Sequence, residues 1–381
     1  MKGLNTVRFL RVFWGLVTLA MLGFSLSVQA QQNWHAKVGA ETPGMGRQAL
    51  AFLPNELWIH SGDSVTWTFN SDEIHTVSFL VVGQTFPSFA TGCPNPPGPP
   101  FFLGSASFDG SSCVTTPPSV KGNPTFRVTF PAPGNYKVQC LVHNTMNGVV
   151  HVLDSSFALP HNQAFYDKEA AGEERNLLTD TDHATSSGMD GMSMGHASAS
   201  VSIRVLAANN RLKGASKKLS ASSGNSVSAN AHVTAGVGEI ASTPGGLQTD
   251  SLVRFVKGKI TIHVGDTVEW SNSDPEEPHT ITFGSEPQGD PFPPSSNVTV
   301  DPDGGLRATL GSPSDSVHSG FIEQALDDQP GKPVNIHPDN AIGAPFNPTH
   351  FRVTFMGPGT YDYKCVLHDN LGMVGQVVVL P

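Results

Sequence analysis

Two short runs in this 381-residue chain place a thiol, an imidazole and a thioether within the length of one loop. The first is Cys140-Leu141-Val142-His143-Asn144-Thr145-Met146, and the second is Cys365-Val366-Leu367-His368-Asp369-Asn370-Leu371-Gly372-Met373. Far upstream of each stands a histidine in a matching setting, Glu73-Ile74-His75-Thr76 and Glu277-Pro278-His279-Thr280. A thiolate with two imidazoles and a weak thioether is a soft-to-borderline donor set. It suits copper as both Cu(I) and Cu(II), with three strong in-plane ligands and one long axial contact. Zinc accepts Cys and His, but methionine is a poor zinc ligand, and the paired Cys/His spacing of zinc fingers is missing. The candidate ligands are therefore His75, Cys140, His143 and Met146 for one ion, and His279, Cys365, His368 and Met373 for a second. Two competing readings are buried thiols beside incidental histidines, and a single working site out of the two.

The elements that must position these residues repeat within the chain. The run from Phe52 to Trp67 matches Phe255 to Trp270 without a gap, an offset of 255 − 52 = 203 residues. Phe126 through Cys140 matches Phe351 through Cys365, and Trp34 to Glu41 resembles Ala231 to Glu239. A period of about 200 residues is far too long for a solenoid, so it predicts two copies of one domain. Inside each copy, apolar residues alternate around Gly-Asp and Pro-Gly turns: Leu57, Ile59, Val65 and Trp67 in one, and Ile260, Ile262, Val268 and Trp270 in the other. This is the strand and hairpin signal, and several such strands predict a β-sandwich.

Each copy also carries a Pro/Gly/Ser/Asp-rich insertion, from about Gly83 to Asn123 and from about Gly284 to Asn347. Insertions of this length are often functional or partly disordered. Between the copies, Gln163 to Leu178 has the pattern of a short helix, followed by a Ser/Ala/Asn-rich stretch expected to be a flexible linker. That stretch contains His183, Met189, Met192, Met194 and His196, thioethers and imidazoles suited to weak Cu(I) acquisition. The other paired histidines, His60 with His263 and His35 with His232, read as exposed or structural, and His151 reads as a strand residue with no site role.

Here the chain resembles the plastocyanin/azurin family. The Cys-x2-His-x4-Met loop of the second copy is similar to that of plastocyanin, and the shorter Cys-x2-His-x2-Met loop of the first is similar to that of amicyanin. The Gly-Asp-Ser/Thr-Val strand pair and the Pro-Gly-x-Tyr approach to each cysteine share the resemblance, which covers roughly 31–155 and 230–381 less the insertions. It implies an all-β chain of two cupredoxin-like Greek-key β-sandwich domains, each holding one mononuclear type 1 (blue) copper for one-electron transfer. It further implies that the downstream histidine of each site lies near the surface as the port for electrons. The His-to-Cys separations, 140 − 75 = 65 and 365 − 279 = 86 residues, exceed those of small family members and leave docking of a redox partner protein undefined.

The ends and the totals set the context. Lys2, Arg8 and Arg11 precede an apolar run to Leu26 and a Val28-Gln29-Ala30 cleavage pattern, so 1–30 reads as a secretory signal peptide. The expected layout is then signal 1–30, first domain 31–155, linker 156–229 and second domain 230–381, in a periplasmic or secreted protein with no stable membrane insertion after cleavage. Cys93 and Cys113 bracket the proline-rich loop and are natural partners for one disulfide in an oxidising compartment. A net charge of −10 with few charged residues argues against a nucleic-acid partner. Gln139 and Lys364 stand before the two ligand cysteines, and no His-x-His pair occurs, which argues against a multicopper reductase or oxidase. Copper storage or delivery through the linker is the remaining alternative to an electron carrier, and no enzyme activity is expected.

Overall fold

The computed structural model describes residues 31–94, 99–179, 228–287, 293–324 and 348–381. The expected signal peptide and the candidate Cu(I) segment His183–His196 lie outside them. Residues Asn33–Pro381 form one compact unit. Among the described residues no helix is long and apolar enough to cross a membrane.

The first half contributes ten strands: β1 (Asn33–Glu41), β2 (Arg47–Leu53), β3 (Glu56–His60), β4 (Ser64–Phe69), β5 (Ser78–Phe79), β6 (Ser105–Ser107), β7 (Val114–Thr115), β8 (Phe126–Thr129), β9 (Gly134–Gln139) and β10 (Asn147–Leu153). Helix α1 (Gln163–Thr179) follows. The second half contributes β11 (Ala231–Ser242), β12 (Leu247–Val256), β13 (Lys259–His263), β14 (Thr267–Ser273), β15 (Thr282–Phe283), β16 (Thr299–Val300), β17 (Leu306–Leu310), β18 (Val317–His318), β19 (His350–Phe355), β20 (Gly359–Lys364) and β21 (Val374–Leu380). The described residues are all-β apart from α1, and each half is a sandwich. One layer of each is a five-stranded sheet, β3-β10-β9-β5-β7 or β13-β21-β20-β15-β18.

The other layers are not separate. They join into a single eleven-stranded sheet, β16-β17-β19-β14-β11-β12-β2-β1-β4-β8-β6, through antiparallel pairing of β12 with β2. The pairing is Thr249↔Leu50, Asp250↔Ala49, Ser251↔Gln48 and Leu252↔Arg47. With the 203-residue offset of the repeat, Asp250 is the counterpart of Arg47 and Leu252 of Ala49. Each residue thus faces its partner's equivalent across Gln48↔Ser251, which is the signature of a local two-fold axis. Joining the sheets this way also removes two exposed edges. Side chains reinforce the seam: Asn55 Nδ2 donates to Thr243 Oγ1 at 2.6 Å, and the Thr145 and Thr249 hydroxyls bond at 2.7 Å.

The cores repeat as the sequence does. Trp67, Phe79, Phe126 and Phe130 fill the first, and Trp270, Phe283, Phe351 and Phe355 fill the second, all fully buried. Asp63 and Asp266 cap matching turns by accepting from His60 N and His263 N. The Tyr136 and Tyr361 hydroxyls each donate to the carbonyl four residues back, Ala132 O and Gly357 O. Among the described residues the insertions supply β6 and β7 in one half and β16 to β18 in the other. The Cys93–Cys113 disulfide closes the first insertion, as the spacing indicated.

Helix α1 forms where the sequence pattern placed it and packs Ala170 and Leu177 on Ala40, Ala49, Ala51 and Leu53. This cover explains why β2 is buried on both faces. Glu173 of α1 accepts from Gln248 Nε2 at 3.2 Å, and burial pushes its carboxyl up to about 8 against this bond. A carboxyl that stays protonated longer in the folded chain favours folding at low pH, and that contribution is lost as pH rises from 4.5 through about 8. Glu173→Gln is therefore expected to match the parent at pH 4 and exceed it by at least about 2 kcal/mol at pH 9, at roughly 1.4 kcal/mol per pKa unit. Denaturant unfolding at the two pH values checks this.

Candidate metal centre

Each half gathers its predicted histidines and cysteine in one place, with the predicted methionine on the same turn as the cysteine. In the first, His75 follows β4 and is tied by a bridge to Ser119 of the insertion. Cys140, His143 and Met146 lie on the turn between β9 and β10, where Cys140 N donates to Met146 O at 3.0 Å and Met146 N to His143 O at 3.1 Å. In the second half, His279 bridges Ile322, and Cys365 N donates to Met373 O at 3.1 Å. The two loops differ in length but close on the same cysteine-to-methionine backbone bond. All eight residues are buried.

His75 Nδ1 and His143 Nδ1 are 3.1 Å apart, and Cys140 Sγ is 3.7 Å from His143 Nδ1. The second triad reproduces this: His279 Nδ1 to His368 Nδ1 is 3.1 Å, and Cys365 Sγ is 3.9 Å and 3.5 Å from them. Triangles with edges this long are the size expected for three donors at about 2.0–2.3 Å from one ion. Burial opposes ionising the two thiols, yet the facing imidazoles outweigh it and hold both well below the usual thiol range. Backbone amides add to this, with Thr76 N and Val142 N donating to Cys140 Sγ and Thr280 N to Cys365 Sγ. Burial pushes the His75 imidazole down, which keeps it neutral and able to bind a metal. The donor set thus fits copper in both halves.

Behind the upstream histidines stand two glycines. Gly39 in β1 and Gly236 in β11 sit at bulges where the strand register shifts, with φ of 68° and 76°. A Cβ there would lie 2.5 Å from His75 Nε2 and 1.9 Å from His279 Nε2. The sites differ at this edge. His75 Nε2 bonds to Ser71 Oγ at 2.9 Å, whereas His279 Nε2 has no hydrogen-bond partner among the described residues.

One expectation is overturned. His143 and His368 are not surface ports: they are 1% and 2% exposed. Each is covered by the opposite half. His143 Nε2 is 2.9 Å from Glu277 Oε1, while His368 Nε2 is 3.4 Å from Glu277 Oε2 and 3.6 Å from Glu73 Oε2. Glu276 secures the closure by accepting from Asn144 N and from the Thr145 hydroxyl of the first loop. The two-fold pairing of β2 with β12 brings these loops together, which the length of intervening chain does not disclose. Burial works against charging His143, but Glu277 and the Cys140 thiolate hold the ring well above its usual range. His368 is raised likewise, against its burial, by the Cys365 thiolate and Glu277. The reading from sequence assigned neither glutamate a role. The available signal was a glutamate two residues before the upstream histidine in both copies.

Other histidines are structural or exposed. His60 is buried with Nε2 2.8 Å from Phe157 O, His263 is exposed, and His151 stacks on Trp58.

Comparison with known proteins bears on the second half most directly. Residues 245–380 match the family described as copper binding proteins, plastocyanin/azurin family. No curated protein matches the chain. Among solved structures, oxidised plastocyanin from Dryopteris crassirhizoma is 18% identical, with 39% of this chain and 99% of that chain covered and a TM-score of 0.19. A reduced amicyanin mutant is 20% identical, with 32% of this chain and 82% of that chain covered and a TM-score of 0.21. Residues 245–380, which carry the second thiolate–imidazole triad, thus match the plastocyanin/azurin family of copper-binding proteins, and the first half repeats the sandwich and the triad.

Proposed function

We propose that this chain is an exported one-electron carrier with two type 1 copper sites, acting in the periplasm or outside the cell with a redox partner protein. The observation that carries this reading is the pair of matching buried triads, His75–Cys140–His143 and His279–Cys365–His368. His75, Cys140, His143 and Met146 would hold one ion, and His279, Cys365, His368 and Met373 the other. When bound, copper supplies a Cu(I)/Cu(II) couple. The chain's own part is to hold the donors still and exclude water. Leu141 N donates to Thr76 Oγ1 at 2.7 Å and Val366 N to Thr280 Oγ1 at 2.9 Å, so each cysteine loop is pinned to the segment carrying the upstream histidine. A rigid, dry donor set limits rearrangement between oxidation states. Because His143 and His368 are buried against the opposite half, electrons would reach a partner by a route other than their ring edges.

The position before each cysteine favours a carrier over a multicopper enzyme. Gln139 ends β9, and Lys364 is engaged by Glu286 and Asp369, so neither place offers an imidazole to a further copper. Copper-loaded protein is expected to show an intense thiolate-to-copper absorption. Cys140→Ser and Cys365→Ser should each remove about half of it, together with one of two thiolate-bound coppers. A colourless protein that holds copper stoichiometrically, or loss of all colour from one substitution, counts against the proposal.

A further inference from the structure

The ring nitrogens that point away from the two triads meet in one place. His143 Nε2, His368 Nε2, the Glu277 carboxylate and the Glu73 carboxylate converge at the junction of the halves, with N···O separations of 2.9, 3.4 and 3.6 Å. Glu73, His143 and Glu277 each offer a ligand atom within 4.8 Å of the other two. Four donors at about 2.0–2.2 Å from one tetrahedral ion stand roughly 3.3–3.5 Å apart, and the three N···O separations above lie close to that. All four side chains are more than nine-tenths buried.

Two of the three contacts in this cluster are long for hydrogen bonds. His143 Nε2 and Glu277 Oε1 are 2.9 Å apart, whereas His368 Nε2 lies 3.4 Å and 3.6 Å from the two carboxyl groups. Among the described residues, no lysine or arginine pairs with Glu73 or Glu277. Two buried carboxylates without a fixed cation are costly unless a positive ion or protons offset them.

We propose that the junction is a third metal site, in which the Nε2 atoms of His143 and His368 and the carboxylates of Glu73 and Glu277 hold one divalent ion such as Zn²⁺ or Cu²⁺. Imidazole and carboxylate donors are the borderline-to-hard set these ions accept. Binding displaces the two Nε2 protons, so one dication replaces two unit charges and the junction keeps its net charge. The site rests on the two-copper reading only in that Nδ1 of each ring would serve a copper while Nε2 serves the junction. The two rings then link all three positions.

The test uses the full chain, loaded with copper until its thiolate absorption saturates, then incubated with Zn²⁺ and gel-filtered. The wild type is expected to carry about one metal per chain beyond the two thiolate-bound coppers, as zinc or as a third copper. The double variant Glu73→Gln/Glu277→Gln should keep both thiolate bands and lose that extra metal, with affinity at least about 100-fold weaker. Metal held by the His183–His196 segment would not respond to these substitutions. Equal metal content in the two proteins, or no extra metal in the wild type, overturns the junction site. Absence of the thiolate bands would instead overturn the two-copper reading. Should the double variant not fold, Co²⁺ added to copper-loaded wild type decides. About one equivalent showing ligand-field bands without a thiolate charge-transfer component is expected, and no bound Co²⁺ overturns the proposal.

Discussion

Gly236→Ala is expected to abolish the thiolate-to-copper absorption of the second site and leave that of the first intact. The new Cβ would lie 1.9 Å from His279 Nε2, with the neighbouring ring carbons at 2.5 and 3.0 Å. The ring cannot retreat, because His279 is fully buried and its backbone is pinned to Ile322 by a pair of backbone hydrogen bonds. A left-handed φ costs an L-residue about 1–2 kcal/mol, and overpacking a filled site adds about 1–3 kcal/mol. A total destabilisation of about 2–5 kcal/mol is thus expected, with one copper lost. Gly39→Ala should do the same to the first site, where Ser71 Oγ at 2.3 Å and His75 Nε2 at 2.5 Å stand in the way. Gly304→Ala separates strain from crowding: its φ is also positive, but nothing lies within 4 Å. It should cost only the backbone term and keep both bands. Retained absorption at the second site in Gly236→Ala would show that the bulge does not set the position of His279.

Glu277→Ala is expected to lower the stability of the metal-free chain by about 3–5 kcal/mol, the range for removing one partner of a buried ion pair. The loss is large because one carboxylate serves both halves, one oxygen toward His143 and the other toward His368. The pH dependence has a definite sign. Despite burial, which would raise it, the Glu277 carboxyl is held well below 4.5 by His143 and His368. Its contribution is therefore present above 4.5 and lost as pH falls through the lower folded value. His143 and His368 are held above 6.5, so their share is complete below 6.5 and is lost as pH rises through their folded values. The penalty of Glu277→Ala should peak between these limits, near pH 5–6, and shrink on either side. Denaturant unfolding of both proteins across pH measures this, and a penalty independent of pH would show that the substitution acts through packing alone.

Much of the site was legible in the sequence because its donors lie on short, local structures. Cys140, His143 and Met146 share one turn between adjacent strands, as do Cys365, His368 and Met373, so spacing alone brought each set together. His75 and His279 were found through the repeat, since each follows the tryptophan strand by the same pattern. The alternating runs around Trp67 and Trp270 likewise became the paired strands β4 and β14. Other features were not legible. Glu73 and Glu277 have no chemistry that alternation or local spacing exposes, and their meaning depends on a residue from the other half. The burial of His143 and His368 was hidden for the same reason. A surface end of one sandwich becomes interior only when a second sandwich covers it.

By itself, then, the chain dictated two sandwiches and two sets of soft donors, because strand alternation and loop spacing act over a few residues. Only the tertiary structure decided that β2 and β12 share a sheet and that the ends carrying the two triads face one another. Those outcomes depend on complementarity between surfaces about 200 residues apart in sequence, and no local pattern encodes which edge will find which partner.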